Sequence, residues 1–121
     1  MTNRLTVFVI DDNPAALHSV CALLTAFDIP AEPFDSAEAF LEVYDASQHG
    51  CLLLDVQLQG IGGLELLRQL RATDCDLPVI VISGNADKQV VKVATELGAS
   101  KILHKPVPPN ELVEAVNQTL H

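Results

Sequence analysis

Two apolar patterns alternate along this chain from one end to the other. The first is a short continuous run: Leu5-Thr6-Val7-Phe8-Val9-Ile10, Cys51-Leu52-Leu53-Leu54 and Val79-Ile80-Val81-Ile82. Runs of this length, rich in Val, Ile and Phe, predict strands. The run at 51–54 is apolar throughout, as a strand covered on both faces should be. Weaker runs at Ala31–Phe34 and Lys101–Leu103 add two short strands. The second pattern has helical spacing. It gives the stripes Leu17, Val20, Cys21, Leu24, Phe27; then Phe40, Leu41, Tyr44; then Leu64, Leu67, Leu70; then Val90, Val93, Ala94, Leu97; then Leu112, Val113, Val116, Leu120. Each stripe predicts a helix with that face turned inward.

Punctuation supports the boundaries. Asn13 is placed to cap the first helix, with Pro14 in its first turn. Asp35 or Ser36 caps the second, and Asp35-Ser36-Ala37-Glu38 has the form of a capping box with Asp in the cap position. Gly60-Ile61-Gly62-Gly63 leads into the third helix, Pro78 starts the fourth strand, the fourth helix runs over 85–97 with Gly98 as its stop, and Pro108-Pro109 opens the last helix. Strict strand–helix alternation predicts an α/β fold, a doubly wound parallel sheet with helices on both faces. Residues 1–121 read as one domain, with no repeat, low-complexity tract or linker. In such sheets the site lies outside the carboxyl ends of the strands.

Polar residues stand at those ends. Asp11 and Asp12 follow the first strand, Asp55 the third, Ser83 the fourth and Lys105-Pro106 the fifth. Converging carboxylates repel one another, a penalty that a divalent cation removes. Mg²⁺ takes oxygen ligands and keeps several waters. Asp55 is the candidate nucleophile: a carboxylate attacking phosphorus gives an acyl phosphate and needs no base. Ser83 and Gly84 can donate to a phosphoryl oxygen, and Lys105 can neutralise its charge. Lys105–Pro106 is a candidate cis peptide. Taken singly, each residue also reads as an ordinary strand end or turn.

Charge and cysteines narrow the function further. The net charge of −9 opposes direct nucleic-acid binding by this domain. The apolar runs are too short to span a bilayer. No signal-peptide pattern follows Met1, so a cytoplasmic location is expected. Cys21 and Cys51 fall on apolar faces and read as core positions, whereas Cys75 falls in a loop and reads as an exposed thiol. His18, His49, His104 and His121 show no ligand spacing.

The segments Val9-Ile10-Asp11-Asp12-Asn13-Pro14, Leu53-Leu54-Asp55-Val56, Gly63-Leu64-Glu65-Leu66-Leu67, Pro78-Val79-Ile80-Val81-Ile82-Ser83-Gly84 and Lys105-Pro106 together resemble the receiver domain of two-component response regulators. Ser36-Ala37-Glu38-Ala39-Phe40-Leu41 and Ser83-Gly84-Asn85-Ala86-Asp87 further resemble receivers joined to LuxR-type DNA-binding domains or to hybrid sensor kinases. The resemblance implies a flavodoxin-like, CheY-like sheet in the order 2-1-3-4-5. It implies that Asp55 accepts a phosphoryl group from a histidine kinase or phosphotransfer protein. Asp11, Asp12, Asp55 and the backbone carbonyl of Gln57 would hold Mg²⁺, with Mn²⁺ as an alternative. Ser83 and Ile102 would carry the switch, Lys105 would pair with the phosphoryl group, and self-phosphorylation and autophosphatase activity would accompany it. The output face, also open to homodimer formation, would be the fourth helix, fifth strand and fifth helix.

Four positions depart from the family's pattern. Ile102 stands where an aromatic is usual, Leu58-Gln59 where Met-Pro is common, and Val107 where Phe is frequent. With aromatics at 4%, the output face should be aliphatic and polar. Ile102 is the one feature that favours the alternative of a phosphorylation-independent pseudo-receiver. A hydrolytic phosphatase with an aspartyl nucleophile would need two Asp separated by one residue and a cap insertion. Asp11-Asp12 are adjacent and no such insertion is present.

Overall fold

The computed structural model describes residues 5–45, 49–58, 62–84 and 88–120. Five strands alternate with five helices: β1 (Thr6–Ile10), α1 (Pro14–Ala26), β2 (Ala31–Phe34), α2 (Ala37–Val43), β3 (Gly50–Asp55), α3 (Gly63–Ala72), β4 (Val79–Ser83), α4 (Lys88–Glu96), β5 (Lys101–His104) and α5 (Pro109–Leu120). All pairings are parallel and the sheet order is β2-β1-β3-β4-β5. Sequence expectations that fall on 1–4, 59–61, 85–87 and 121 lie outside the described residues.

Side-chain alternation along the strands builds two cores. Phe8, Ile10, Leu52, Leu54, Val79 and Val81 face α2, α3 and α4, where Phe40, Leu66, Leu67 and Ala94 meet them. Val7, Val9, Cys51, Leu53, Ile80 and Leu103 face α1 and α5, where Leu24, Leu112, Val113 and Val116 meet them. The central strands β1 and β3 are therefore almost fully buried, which explains their unbroken apolar runs. Phe8, Phe34, Phe40 and Tyr44 form a ring cluster on the α2 side with centroids 5.0–6.5 Å apart. Both edge strands are short, and β2 carries Pro33 in register with Val9. Among the described residues no helix is long and apolar enough to cross a membrane.

Three local expectations are corrected. Phe27 does not continue the inward stripe of α1. It is the C-cap, and its side chain is 56% exposed. Asp28 follows at φ 60, so the chain has left the helical phase that would have turned Phe27 inward. Of the two cap candidates for the second helix Ser36 takes the place, its hydroxyl accepting from Ala39 N–H at 3.0 Å, so the capping box with Asp35 in the cap position does not form. Cys75 is half-buried, with Sγ 3.5 Å from the Tyr44 hydroxyl, because its loop folds back onto the ring cluster.

Candidate functional site

Strand register sets the height of each polar residue at the carboxyl edge. Ile10 pairs with Leu54, so Asp11 and Asp55 stand at one level. Asp55 pairs with Ile82, which places Ser83 one residue further out. Ser83 pairs with His104, which places Lys105 one residue further again. Two residues of strand rise amount to roughly 6–7 Å, a span that a lysine side chain can reach back across. Lys105 Nζ donates to Asp55 Oδ2 at 2.6 Å. The site sits over β1 and β3, where the strand order reverses.

Asp55 ends β3 and is 5% exposed. Its Oδ1 accepts from Gln57 N–H at 2.8 Å, and Lys105 holds its Oδ2, so the carboxylate is oriented at both oxygens. The Lys105 ammonium stem is 40% exposed and therefore reachable from solvent. Lys105 N–H donates to the Ser83 carbonyl at 2.8 Å, tying the end of β5 to the end of β4, and the Lys105–Pro106 peptide is cis. Ser83 is buried. Gln57 is exposed at its side chain, which lies over Gly84: a Cβ there would meet Gln57 Oε1 at 3.3 Å. Asp11 Oδ1 accepts from Asn13 N–H at 2.9 Å, while Asn13 Oδ1 caps α1 through Ala15 and Ala16 N–H. Ile102 is half-buried against the core beneath α4.

Burial, followed by the charges of Asp55 and Asp12, holds the Asp11 carboxyl above its ordinary range; the Asn13 N–H and the Lys105 charge act the other way. Crowded carboxylates left short of positive charge are the condition a cation relieves. The donor set is all oxygen, which suits Mg²⁺ rather than a thiophilic or imidazole-seeking metal. Among the described residues no three His, Cys, Asp or Glu side chains close into a ready-made cage.

Sequence reasoning missed the part played by Gly63. A Cβ at this position would lie 2.7 Å from the Asp55 carbonyl oxygen and 2.7 Å from Val56 Cα. The first turn of α3 thus rests directly on the backbone that carries the candidate nucleophile. The Gly62-Gly63 doublet was the available signal, and it reads equally well as a plain loop.

A parallel sheet in this order, with Asp11, Asp12, Asp55, Ser83 and Lys105 along one edge, defines the receiver class. The chain belongs to the response regulator receiver domain family, whose sequence model matches residues 7–117. It is 36% identical over 118 residues to the transcriptional regulatory protein TdiR of Thauera aromatica, covering 98% of this chain and 52% of that protein. It is 37% identical over 120 residues to the transcriptional regulatory protein FixJ of Azorhizobium caulinodans, covering 99% of this chain and 57% of that protein. The solved structure of response regulator StyR superposes with a TM-score of 0.90 at 36% identity, over 97% of this chain and 59% of that one. The chain spans about half the length of the curated relatives it matches.

Proposed function

We propose that this receiver accepts a phosphoryl group on Asp55 from a histidine kinase or phosphotransfer protein. The Lys105–Asp55 pair at 2.6 Å carries this reading: it presents a nearly buried, pre-oriented carboxylate at the point where the strand order reverses. In the transfer an Asp55 oxygen attacks phosphorus and a P–O bond forms. The P–N bond to the donor imidazole breaks, and its electron pair stays on that nitrogen. Lys105 Nζ exchanges Asp55 Oδ2 for a phosphoryl oxygen, and the Ser83 hydroxyl donates to another. Asp11, Asp12, Asp55 and the Gln57 carbonyl would hold Mg²⁺, or Mn²⁺ in its place. Bound there, the ion supplies positive charge against the phosphoryl oxygens. Attack by water on the same phosphorus returns free Asp55, so the domain takes part in both its phosphorylation and its dephosphorylation.

The new charge shifts the population between two packings of the α4–β5–α5 face. That face carries Lys88 and Lys92 on α4, Lys101 on β5, and Glu111 and Glu114 on α5, and it would also be the surface for a homodimer. Any output toward nucleic acid belongs to another domain, since this one is acidic.

The test is phosphorylation by acetyl phosphate with Mg²⁺, read by intact mass and acid–base lability. The parent should gain one base-labile phosphoryl group, and Asp55→Asn should gain none. Equal labelling of Asp55→Asn at another residue would overturn the assignment.

A further inference from the structure

The chain has four Phe residues, and three of them, Phe8, Phe34 and Phe40, are core. Phe27 alone is left in solvent, at the C-cap of α1. Beside it lies a hollow of about 300 Å³ at the amino edge of the sheet, the end of the strands away from Asp55. Leu5, Ile29, Pro30 and Leu120 line it together with Phe27 itself, and Asp28 and Asn117 are its polar lining. The turn that shapes it is held by its own backbone: Asp28 N–H donates to the Thr25 carbonyl at 3.0 Å and Ile29 N–H to the Leu24 carbonyl at 2.9 Å. Asp28, at φ 60, sends Ile29 into the core and leaves Phe27 out. The ring and the hollow next to it are therefore fixed features of the fold. Exposed apolar surface of this kind marks a contact site.

Charge selects the occupant. Pro14–Phe27 contains no Asp, Glu, Lys or Arg, and neither does Ala115–Leu120. Asp28 is the one charged residue that lines the hollow. The whole chain carries sixteen acidic residues against seven basic ones. A basic partner would be drawn to the acidic surface elsewhere, and an acidic partner finds no cation among the lining residues. A second copy is repelled wherever acidic surfaces meet, and can approach only where charge is sparse. It also brings the matching shape. A protruding aromatic beside an apolar hollow is self-complementary, which is what a two-fold interface requires.

We propose that a second copy of this chain docks at this corner about a two-fold axis, each Phe27 entering the hollow of the other. The contact stands apart from the phosphoacceptor reading. It lies at the opposite end of the sheet from Asp55, it leaves α4 and β5 uncovered, and it forms without phosphorylation. A patch this small makes a weak dimer that depends on concentration.

The test is sedimentation equilibrium of the unphosphorylated protein at concentrations up to about 1 mM, in low and high salt, with amide shifts followed on dilution. The parent should show a monomer–dimer equilibrium. Its concentration-dependent shifts should centre on Phe27–Pro30, Leu5, Asn117 and Leu120. Phe27→Ser should weaken association roughly tenfold or more. Asn117→Glu, which puts an acid beside each hollow, should weaken it at least as much. Val43→Ser, which removes the other large exposed apolar side chain, should leave it unchanged. Salt should strengthen the dimer, because it screens the repulsion between two acidic copies and breaks no ion pair. A dimer held by the Lys and Glu residues of α4, β5 and α5 would weaken instead. The proposal is overturned by a parent that stays monomeric throughout, by a dimer that folded Phe27→Ser leaves intact, or by concentration-dependent shifts on α4 and β5 in place of the Phe27 corner. If Phe27→Ser does not fold, Asn117→Glu, at an exposed helix position, decides in its place.

Discussion

Gly63→Ala places one methyl group against the backbone beneath the phosphoacceptor. The new Cβ would sit 2.7 Å from both Asp55 O and Val56 Cα, whereas ordinary contact begins near 3.4 Å, so the separation must open by roughly 0.7 Å. Neither neighbour is a side chain that can rotate away. Either the first turn of α3 lifts or the end of β3 is pushed. Overpacking of this kind costs about 1–3 kcal/mol. For a domain of this size that is a fall in melting temperature of roughly 4–12 °C. The chemical effect is sharper, because Asp55 is held between Gln57 N–H at 2.8 Å and Lys105 Nζ at 2.6 Å. A 1 Å error in a reacting group costs on the order of 100-fold. The acetyl phosphate rate should therefore drop roughly 10- to 100-fold. Gly62→Ala is the control, since its Cβ would meet nothing within 4 Å. Melting curves and phosphorylation rates of the three proteins measure both effects. A Gly63→Ala protein that melts and reacts like Gly62→Ala would refute the reasoning.

Two further outcomes follow from the titrating groups. Asp11, raised above 3.8 by burial first and by Asp55 and Asp12 after it, binds its proton more tightly folded than unfolded. Its contribution to stability is thus present below the unfolded pKa and lost as pH rises through the folded one. Asp11→Asn should flatten that loss, melt higher than the parent at neutral pH without divalent cation, and shrink the stabilisation by Mg²⁺. A parent whose stability rises more steeply than the variant's through that window contradicts the sign. Burial pushes the Cys51 thiol up to about 12, so a thiol reagent near neutral pH should label Cys51 only on unfolding. Peptide mass spectrometry after timed labelling checks this, and native-state labelling of Cys51 as fast as Cys75 would contradict it.

Strand positions, and the placing of Asp11, Asp55, Ser83 and Lys105 at one edge, are legible because apolar runs and the polar residues that end them leave side-chain signatures. The runs at 5–10, 51–54 and 79–82 must be apolar to lie between two helix layers, and in a parallel sheet the residues that follow such runs fall at one carboxyl edge. Phe27 was misread because stripe periodicity has no term for where a helix stops; the left-handed Asp28 decides that, and Asp residues adopt such φ values only in context. Leu64 was placed on the inward face of α3, yet Leu66 is the buried residue and Leu64 is half-buried, since the contact face of that helix is wider than a single stripe. The Arg71 guanidinium, which donates to the carbonyls of Cys75, Leu77, Leu97 and Gly98, left no signal at all. Those acceptors lie 4 to 27 residues away, and every residue has a carbonyl.

Pro33 has a consequence for how other molecules can approach. An edge strand with free N–H and C=O groups invites a further strand from a peptide or a misfolded neighbour. In β2 one of those N–H groups does not exist, and the strand is only four residues long. β5, at the opposite edge, is equally short, begins with Lys101 and ends at exposed His104. The sheet is therefore poorly suited to grow at either margin by main-chain pairing. Selective partners must then be recognised by helix side chains, and crowding many copies together should not template strand exchange between them.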